Sequence, residues 1–458
     1  MKGQPDFLQN LRDEMGGGRQ WLDRAIVMVY AVLAGLAVVV FTLLADGAFA
    51  LYSQLRSGWW WAPLLWTPAV TALVVWAIRR WAPGAAGSGV PQVLTALDPA
   101  TPLRERSRFV SLRLSAVKIL AVSGGMLAGL SIGRQGPSVQ VAAGVMLHAR
   151  RWLSPASGIS HRELLVAGGA AGIAAAFNTP LGGIVFAIEE LSRRLQDRSS
   201  GLMLAAIVIA GLVAVSAFGN LSYFGRVRAE VLSWSLLLPG ALVALACGLL
   251  GGLLSRLMLA SFTGLPDRFC AYRRKRPVTF AAICGFVVAV IAVVSDGAAV
   301  GVGHEHTKGL LDHAGTTDTA HQPLLFTGLK FVASWLSAWA GVPGGIFGPS
   351  LSLGAGVGAD VAWLLSSPHG AALIALGMCG FLAAVTQTPI TAMIIVMEMT
   401  DGHSMVLSLM ACALLASLVS RMISRPLYST MSQLMMRSIR EGAAAQDAPG
   451  KDNSAPGR

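Results

Sequence analysis

The stretch GRQGPS at residues 133–138 is the strongest indication of the fold, because it recurs as GIFGPS at residues 345–350, 212 residues later. A second stretch, TPLGGIVFAIE at 179–189, recurs as TPITAMIIVME at 388–398, 209 residues later. Two motifs that repeat in the same order at nearly the same offset predict two related halves. In membrane proteins such halves usually pack about a pseudo-two-fold axis, with the substrate site between them.

The composition excludes a soluble globular protein. Of the 458 residues, 54% are hydrophobic and only 13% are charged, which is more apolar surface than one soluble core could bury. The hydrophobic stretches are numerous, and many are interrupted by Gly or Pro before reaching the roughly 20 residues of a straight span. Broken helices of this kind are typical of transporters. We therefore predict an all-α polytopic membrane protein with two inverted-topology repeats and broken helices.

The predicted organisation has four parts. Residues 1–24 form a cytoplasmic N-terminal segment, 25–265 the first membrane repeat, 278–440 the second, and 441–458 a disordered C-terminal tail. A basic cluster between Leu265 and Val278 joins the repeats and is placed in the cytoplasm by the positive-inside rule. We predict a multi-pass protein of the inner (plasma) membrane with both termini in the cytoplasm.

Charge, cysteines and histidines exclude several other classes. The net charge of +12 is spread along the chain, which favours the anionic inner leaflet over a nucleic acid. Five widely spaced cysteines imply no disulfide framework. His304-Glu305-His306 lacks a complete metal ligand set and is predicted to lie in an exposed loop. No dinucleotide or P-loop fingerprint occurs, so we expect neither an enzyme nor a cofactor or metal.

Three Gly/Pro motifs carry the chemistry: GSGVP at 87–91, GRQGP at 133–137 and GIFGP at 345–349. Proline suits the first position of a helix, and glycine lets the backbone approach a ligand closely. A helix N-terminus offers unpaired N–H groups and about half a positive charge, so the motifs predict an anion site. Ser88 and Tyr428 could add hydroxyl donors. The alternative is that these motifs only break helices or permit close helix packing.

Six ordered motifs, the three above together with AAFNTPLGGIVFAIEE, TQTPITAMIIVMEMT and RPLYS, resemble those of the CLC chloride channel and transporter family. The resemblance runs from about residue 20 to 440. It implies a homodimer in the lipid bilayer in which each subunit has its own pathway for chloride and similar anions. It also implies a prokaryotic-type member without C-terminal CBS domains.

The resemblance also implies roles for particular residues. Ser88 and Tyr428 match the side chains that hold a central anion, and the amides of Ile346 and Phe347 match those that complete the central site. The amides of Arg134, Gln135 and Gly136 would face an outer site. The full chloride-binding set implied is Ser88, Gly89, Arg134, Gln135, Gly136, Ile346, Phe347 and Tyr428.

One position departs from the family pattern. Where exchangers and most gated channels of the family have a glutamate as outer gate, this chain has Gln135. Glutamine resembles the protonated acid in shape but does not titrate near neutral pH, which implies an open-like outer gate without a proton relay. Glu190 matches the inner proton site of exchangers, and without an outer acceptor we expect a structural or electrostatic role for it.

Two further positions have open interpretations. Lys118 matches a lysine that would raise the potential along the anion pathway, or it snorkels to an interface. Glu189 and its repeat mate Glu398 are expected to be structural acids, each capping or pairing within its own half.

The functional prediction is passive, uncoupled chloride conduction down the electrochemical gradient. The first alternative is a proton/chloride antiporter in which another acid replaces the gating glutamate. The second is a membrane scaffold that keeps the fold but transports nothing.

Overall fold

The computed structural model describes residues 18–192, 200–219, 224–225, 234–263, 268–314 and 323–447. Within these ranges the chain is almost entirely helical and contains no β-strand. Most of the predicted N-terminal segment and the last residues of the predicted tail lie outside the described residues.

The first half contains nine α-helices in its described part. They are α1 (Gly18–Gly58), α2 (Ala62–Trp81), α3 (Val90–Leu97), α4 (Leu103–Arg106), α5 (Leu112–Leu127), α6 (Gln135–His148), α7 (His161–Phe177), α8 (Pro180–Phe186) and α9 (Ser200–Phe218). A π-helical turn, Ala187–Ser192, continues α8.

From Trp234 onward the described part contains ten more helices, the first of which still falls within the predicted first repeat, 25–265. They are α10 (Trp234–Thr263), α11 (Arg268–Lys275), α12 (Pro277–Val294), α13 (His304–Asp312), α14 (Pro323–Ala340), α15 (Phe347–Leu364), α16 (Gly370–Thr386), α17 (Pro389–Thr400), α18 (Val406–Ile423) and α19 (Leu427–Asp447). Since α19 reaches Asp447, residues 441–447 are helical, unlike the predicted disordered tail. The helical backbone continues there because no proline or glycine occurs between Gly442 and Asp447.

Six helical segments of the described chain are long and apolar enough to cross a membrane, among them α1, α2, α10 and α12. Others are much shorter: α3 has 8 residues and α13 has 9. At 1.5 Å per residue neither could cross a hydrocarbon core of about 30 Å. Short helices between spanning ones are the broken helices that the sequence predicts.

The two halves contact each other at the repeated motif itself. The N–H of Gly133 donates to the carbonyl of Gly345, and the N–H of Gly345 donates to the carbonyl of Gly133, both at 2.7 Å. This reciprocal, antiparallel bridge joins two equivalent positions of the repeats. Equivalent atoms can exchange bonds in this way when the halves are related by a local two-fold axis, as the inverted-repeat prediction requires.

Two glutamates repeat this reciprocity. The Glu189 carboxylate accepts from the N–H of Thr391 (2.7 Å) at the start of α17. The Glu398 carboxylate accepts from the N–H of Gly182 (2.7 Å) at the start of α8. Each acid therefore caps a helix of the other half, which corrects the expectation that it acts within its own half. The inverted arrangement brings the end of α8 beside the start of α17, and the end of α17 beside the start of α8.

These caps lead to a stability prediction. Glu189→Gln and Glu398→Gln should each lower the free energy of unfolding by about 1 kcal/mol, because a charged acceptor at a helix N-terminus is weakened. Thermal unfolding in detergent would measure this, with Asp312→Asn as control, since Asp312 is exposed and lies at the C-terminal end of α13. Equal melting temperatures for all three variants and the parent would contradict the capping role.

Candidate functional site: an anion pathway between helix N-termini

Three helix N-termini meet where the repeats touch. A Cβ atom on Gly136, in the first turn of α6, would lie 2.6 Å from the Ser88 hydroxyl. A Cβ atom on Gly345, before α15, would lie 2.8 Å from the Gly136 amide nitrogen. Gly89, which precedes α3, has φ of +109°, a conformation that residues with side chains rarely adopt. Glycine therefore lets the starts of α3, α6 and α15 come into backbone contact.

The first turns of α6 and α15 present free amide donors. The first bond of α6 runs from Ser138 N–H to the carbonyl of Arg134, and that of α15 from Ser350 N–H to the carbonyl of Ile346. The N–H groups of the residues between them have no acceptor within their own helix. These N–H groups lie at the N-terminus of each helix, which is its positive end and stabilises an anion.

Two hydroxyls stand at the same place. Ser88 is 6% exposed and Tyr428 is 1% exposed, and their hydroxyls lie close enough to act on each other. Neither hydroxyl has another hydrogen-bond partner among the described residues. The ring of Phe347 stacks on Tyr428 with centroids 5.7 Å apart, which fixes the phenol. Buried hydroxyls are normally satisfied, so this arrangement suits a ligand that accepts hydrogen bonds from both.

Lys118 does not snorkel. It is fully buried, and its Nζ donates to the carbonyls of Ala85 (2.8 Å) and Gly87 (2.7 Å) in the loop that leads to Ser88. The ammonium group thus holds this loop and places a positive charge next to the anion motif. Its burial excludes the interfacial alternative, and its role as a pathway cation stays a prediction.

The sequence pattern missed the mate of Lys118. Lys330 lies 212 residues later, is equally buried, and donates through Nζ to the carbonyls of Val300 (3.3 Å) and Gly301 (2.8 Å). Adding the 212-residue offset between the GRQGPS and GIFGPS motifs to position 118 would have identified Lys330. Each repeat therefore buries one lysine against the loop before its short helix, α3 or α13.

The Gln135 side chain occupies a compartment of its own. It is 1% exposed, and its Oε1 has no hydrogen-bond partner among the described residues. Gln135 lines a cavity of about 10 Å³ together with His304, Thr307 and Gly348, which is room for about one water molecule. Neither Ser88 nor Tyr428 lines this cavity. The gate position is therefore separate from the central hydroxyls.

His304 is placed differently from its prediction. It does not lie in an exposed loop but begins α13 and is half-buried beside Gln135. The preceding Gly303, with φ of +83°, lets the chain turn directly into the helix. Among the residues that the structure describes, no group of three or more His, Cys, Asp or Glu could hold a metal ion.

Arg134, next to the gate position, is tied by an ion pair. Its guanidinium is bound to the carboxylate of Asp46 from α1. The Arg134 side chain is buried whereas that of Asp46 is half exposed. No spacing pattern links these two residues, because the contact joins helices that are distant in the chain.

Glu190 lies in the π-helical turn after α8 and is buried. It borders an open cavity of about 800 Å³ that is also lined by Arg421, Arg425 and Ser429. Ser429 follows Tyr428 directly, so the same cavity reaches both Glu190 and the start of α19. Its wall carries charges of both signs, because Glu189 lines it together with Glu190 and the two arginines.

The hydroxyl geometry leads to a binding prediction. Ser88→Ala and Tyr428→Phe should each weaken chloride binding about fivefold, since one hydrogen bond contributes about 1 kcal/mol. Isothermal titration calorimetry with chloride would measure the change. Tyr52→Phe is a matched control, because Tyr52 is equally buried but lies outside the three motifs. An unchanged affinity in both site variants would refute the assignment.

Comparison with known proteins agrees with this geometry. The family model described as "Voltage gated chloride channel" matches residues 70–421. The chain belongs to this family. The predicted fold and family are confirmed.

Relatives and solved structures extend the likeness over nearly the whole chain. A protein of Klebsiella pneumoniae named H(+)/Cl(-) exchange transporter ClcA is 30% identical over 92% of this chain and 91% of its own length. One from Vibrio parahaemolyticus with the same name is 29% identical, with the same coverage. The crystal structure of a slow cyanobacterial Cl−/H+ antiporter has a TM-score of 0.73, with 22% identity, covering 91% of this chain and 99% of its own.

Proposed function

We propose that this CLC protein transports chloride across the membrane in exchange for protons. The observation that carries the anion pathway is the meeting of three helix N-termini beside two buried hydroxyls. The relatives named as H(+)/Cl(-) exchange transporters support the exchange. The sequence pattern predicted passive conduction instead, with exchange as its alternative, and the relatives favour that alternative.

The pathway would hold chloride without a full opposing charge at contact distance. Amide N–H groups of α6 and α15 and the hydroxyls of Ser88 and Tyr428 would replace part of its hydration shell. Partial charges bind an anion weakly enough for it to leave again. Lys118 and Lys330, both engaged with carbonyl groups, would raise the potential from a second layer.

The proton needs a titratable group at each end. Glu190, at the wall of the large cavity, would serve the inner end. Gln135 cannot serve the outer end because an amide does not titrate near neutral pH. We assign the outer end to His304, the one ionisable side chain among the described residues that line the cavity beside Gln135.

The charges around His304 would couple the two ions. Arg134 and Lys308 act electrostatically on its imidazole ring, and the Nζ of Lys330 lies close to the preceding Gly303. Arg134 is itself bound to Asp46. Burial of the ring, and after it the charges of Arg134 and Lys308, disfavour the protonated imidazole. An anion in the outer pathway would offset them, so that chloride occupancy would favour proton uptake.

Uncoupled chloride conduction is the second candidate, and it rests on Gln135. A permanently neutral side chain at the gate position removes the carboxylate that would otherwise compete with chloride. If His304 carried no proton, the same pathway would let chloride pass down its gradient alone.

Proteoliposomes loaded with chloride would distinguish the candidates when external chloride and pH are recorded together. We expect proton uptake to accompany chloride efflux, and an imposed pH gradient to drive chloride uphill. Glu190→Gln should abolish the proton movement while chloride still flows. Chloride efflux without proton movement in the parent protein would instead establish uncoupled conduction, and absence of both fluxes with the protein folded would establish a scaffold.

The proposal includes the cellular setting. We propose a homodimer in the inner membrane, with both termini in the cytoplasm, one chloride pathway in each subunit and no cofactor besides bound chloride. Crosslinking in the membrane and protease protection of tagged termini would test these points.

A further inference from the structure

A second positively charged pocket lies away from the anion pathway described above. It is a cavity of about 270 Å³ lined by Arg79, at the end of α2, and Arg273 of α11. Pro277 at the start of α12 and Gly341 after α14 form other walls. The pocket therefore lies where helices of both halves end or begin, away from the bridge between Gly133 and Gly345.

The two arginines act on each other as like charges. None of the ion pairs between described residues involves Arg79 or Arg273. Arg273 donates to the carbonyl of Ser261 (2.9 Å), which orients it but leaves its charge uncompensated. Two guanidinium groups line this cavity and no carboxylate of the described residues does. The cavity would therefore attract an anion.

A helix N-terminus strengthens the same site. The first intrahelical bond of α12 runs from Phe280 N–H to the carbonyl of Arg276. The N–H groups of Val278 and Thr279 therefore have no acceptor within α12, and the positive end of an 18-residue helix lies at Pro277, in the pocket wall. The combination of arginines and free amides matches the oxygens of a phosphate group.

The surroundings identify the source of the phosphate. Trp76 and Trp81 on α2 are exposed and pack edge to face at 5.2 Å, as is usual for tryptophans at a membrane interface. Ile283 and Phe286, in the first turns of α12, are exposed apolar side chains of a helix apolar enough to cross a bilayer. The pocket thus opens beside a lipid-facing surface at headgroup level, where basic pockets between helices bind anionic lipids.

We propose that Arg79 and Arg273 form a binding site for the phosphate headgroup of an anionic phospholipid. The pocket wall includes Ala86, whose carbonyl accepts from the side chain of Gln92 and which lies two residues before Ser88. A bound headgroup would therefore contact the loop that carries the serine of the anion pathway. The site does not depend on whether chloride transport is coupled to protons.

Lipid titration would test the site. Purified protein in phosphatidylcholine nanodiscs should melt at a higher temperature as the fraction of phosphatidylglycerol rises. Tryptophan fluorescence would measure the unfolding. Arg79→Gln should raise the phosphatidylglycerol fraction needed for half of this shift by about fivefold, the effect of one basic residue near a membrane surface. Native mass spectrometry should show phosphatidylglycerol retained by the parent and lost from the variant.

Matched variants make the result specific. Arg80→Gln removes the neighbouring charge, which does not line the pocket, and should behave as the parent does. Arg79→Lys keeps the charge and should retain part of the shift, which would show that the position tolerates substitution. Equal effects of Arg79→Gln and Arg80→Gln would overturn the proposal in favour of general surface charge. A full shift with inorganic phosphate alone would also overturn it, in favour of a soluble anion site.

Discussion

Gln135→Glu is expected to make chloride transport fall steeply as the pH rises. A carboxylate at this position lies at the start of α6 beside the free amide donors, and it would compete with chloride for them. Above the carboxyl pKa, the protonated, non-competing fraction falls about tenfold per pH unit. Chloride flux of the variant should therefore decline by about that factor per unit, whereas the parent lacks this titration. Stopped-flow chloride efflux from pH 4 to 8 would measure it.

Gln135→Ala is the control for this variant, because it removes the amide without adding a titratable group. It should not acquire the steep decline. A pH profile of Gln135→Glu that follows that of Gln135→Ala would show that the side chain at this position does not reach the anion pathway, and the gate assignment would fail.

His304→Phe is expected to abolish proton movement while chloride continues to flow. Phenylalanine keeps a planar ring at the start of α13, where it would pack against Phe224, whose ring centroid lies 5.0 Å from that of His304. It carries no proton, so exchange would lose its outer acceptor and transport would become uncoupled. Parallel recording of chloride and pH in proteoliposomes would show a loss of proton flux of at least about tenfold, as for removal of a general acid–base group.

His306→Phe is the matched control. His306 lies two residues later on the same helix, its ring contacts Phe326 with centroids 3.9 Å apart, and it does not line the cavity beside Gln135. It should retain coupled exchange. Intact coupling in His304→Phe would exclude His304 as the outer acceptor, and Asp46→Asn would then test the remaining carboxylate near the gate position.

Much of the fold could be predicted because it depends on local pattern and repetition. Apolar stretches broken by Gly and Pro indicated helices of unequal length, and the repeated motifs indicated two related halves. The same motifs indicated an anion site, because glycine and proline at a helix start have a direct physical meaning. The individual chloride-binding positions were implied by the resemblance to the CLC family. Their roles at an anion remain predictions that the binding and flux experiments test.

Residues whose partners are distant in the chain could not be predicted in this way. Asp46 pairs with Arg134 across 88 residues, and Glu189 caps a helix that starts 200 residues later. His304 belongs to a short pattern that by itself indicates an exposed loop. Only the packing of α13 against the start of α15 places it beside Gln135.

Composition and short motifs act locally, and they were enough to predict a two-repeat helical membrane protein with helix starts suited to an anion. Which atoms lie next to one another depends on the tertiary structure. It joined the two halves through Gly133 and Gly345, buried Lys118 and Lys330, and placed an imidazole beside the neutral gate. Such contacts depend on how two inverted halves pack, and no local pattern encodes the register of that packing.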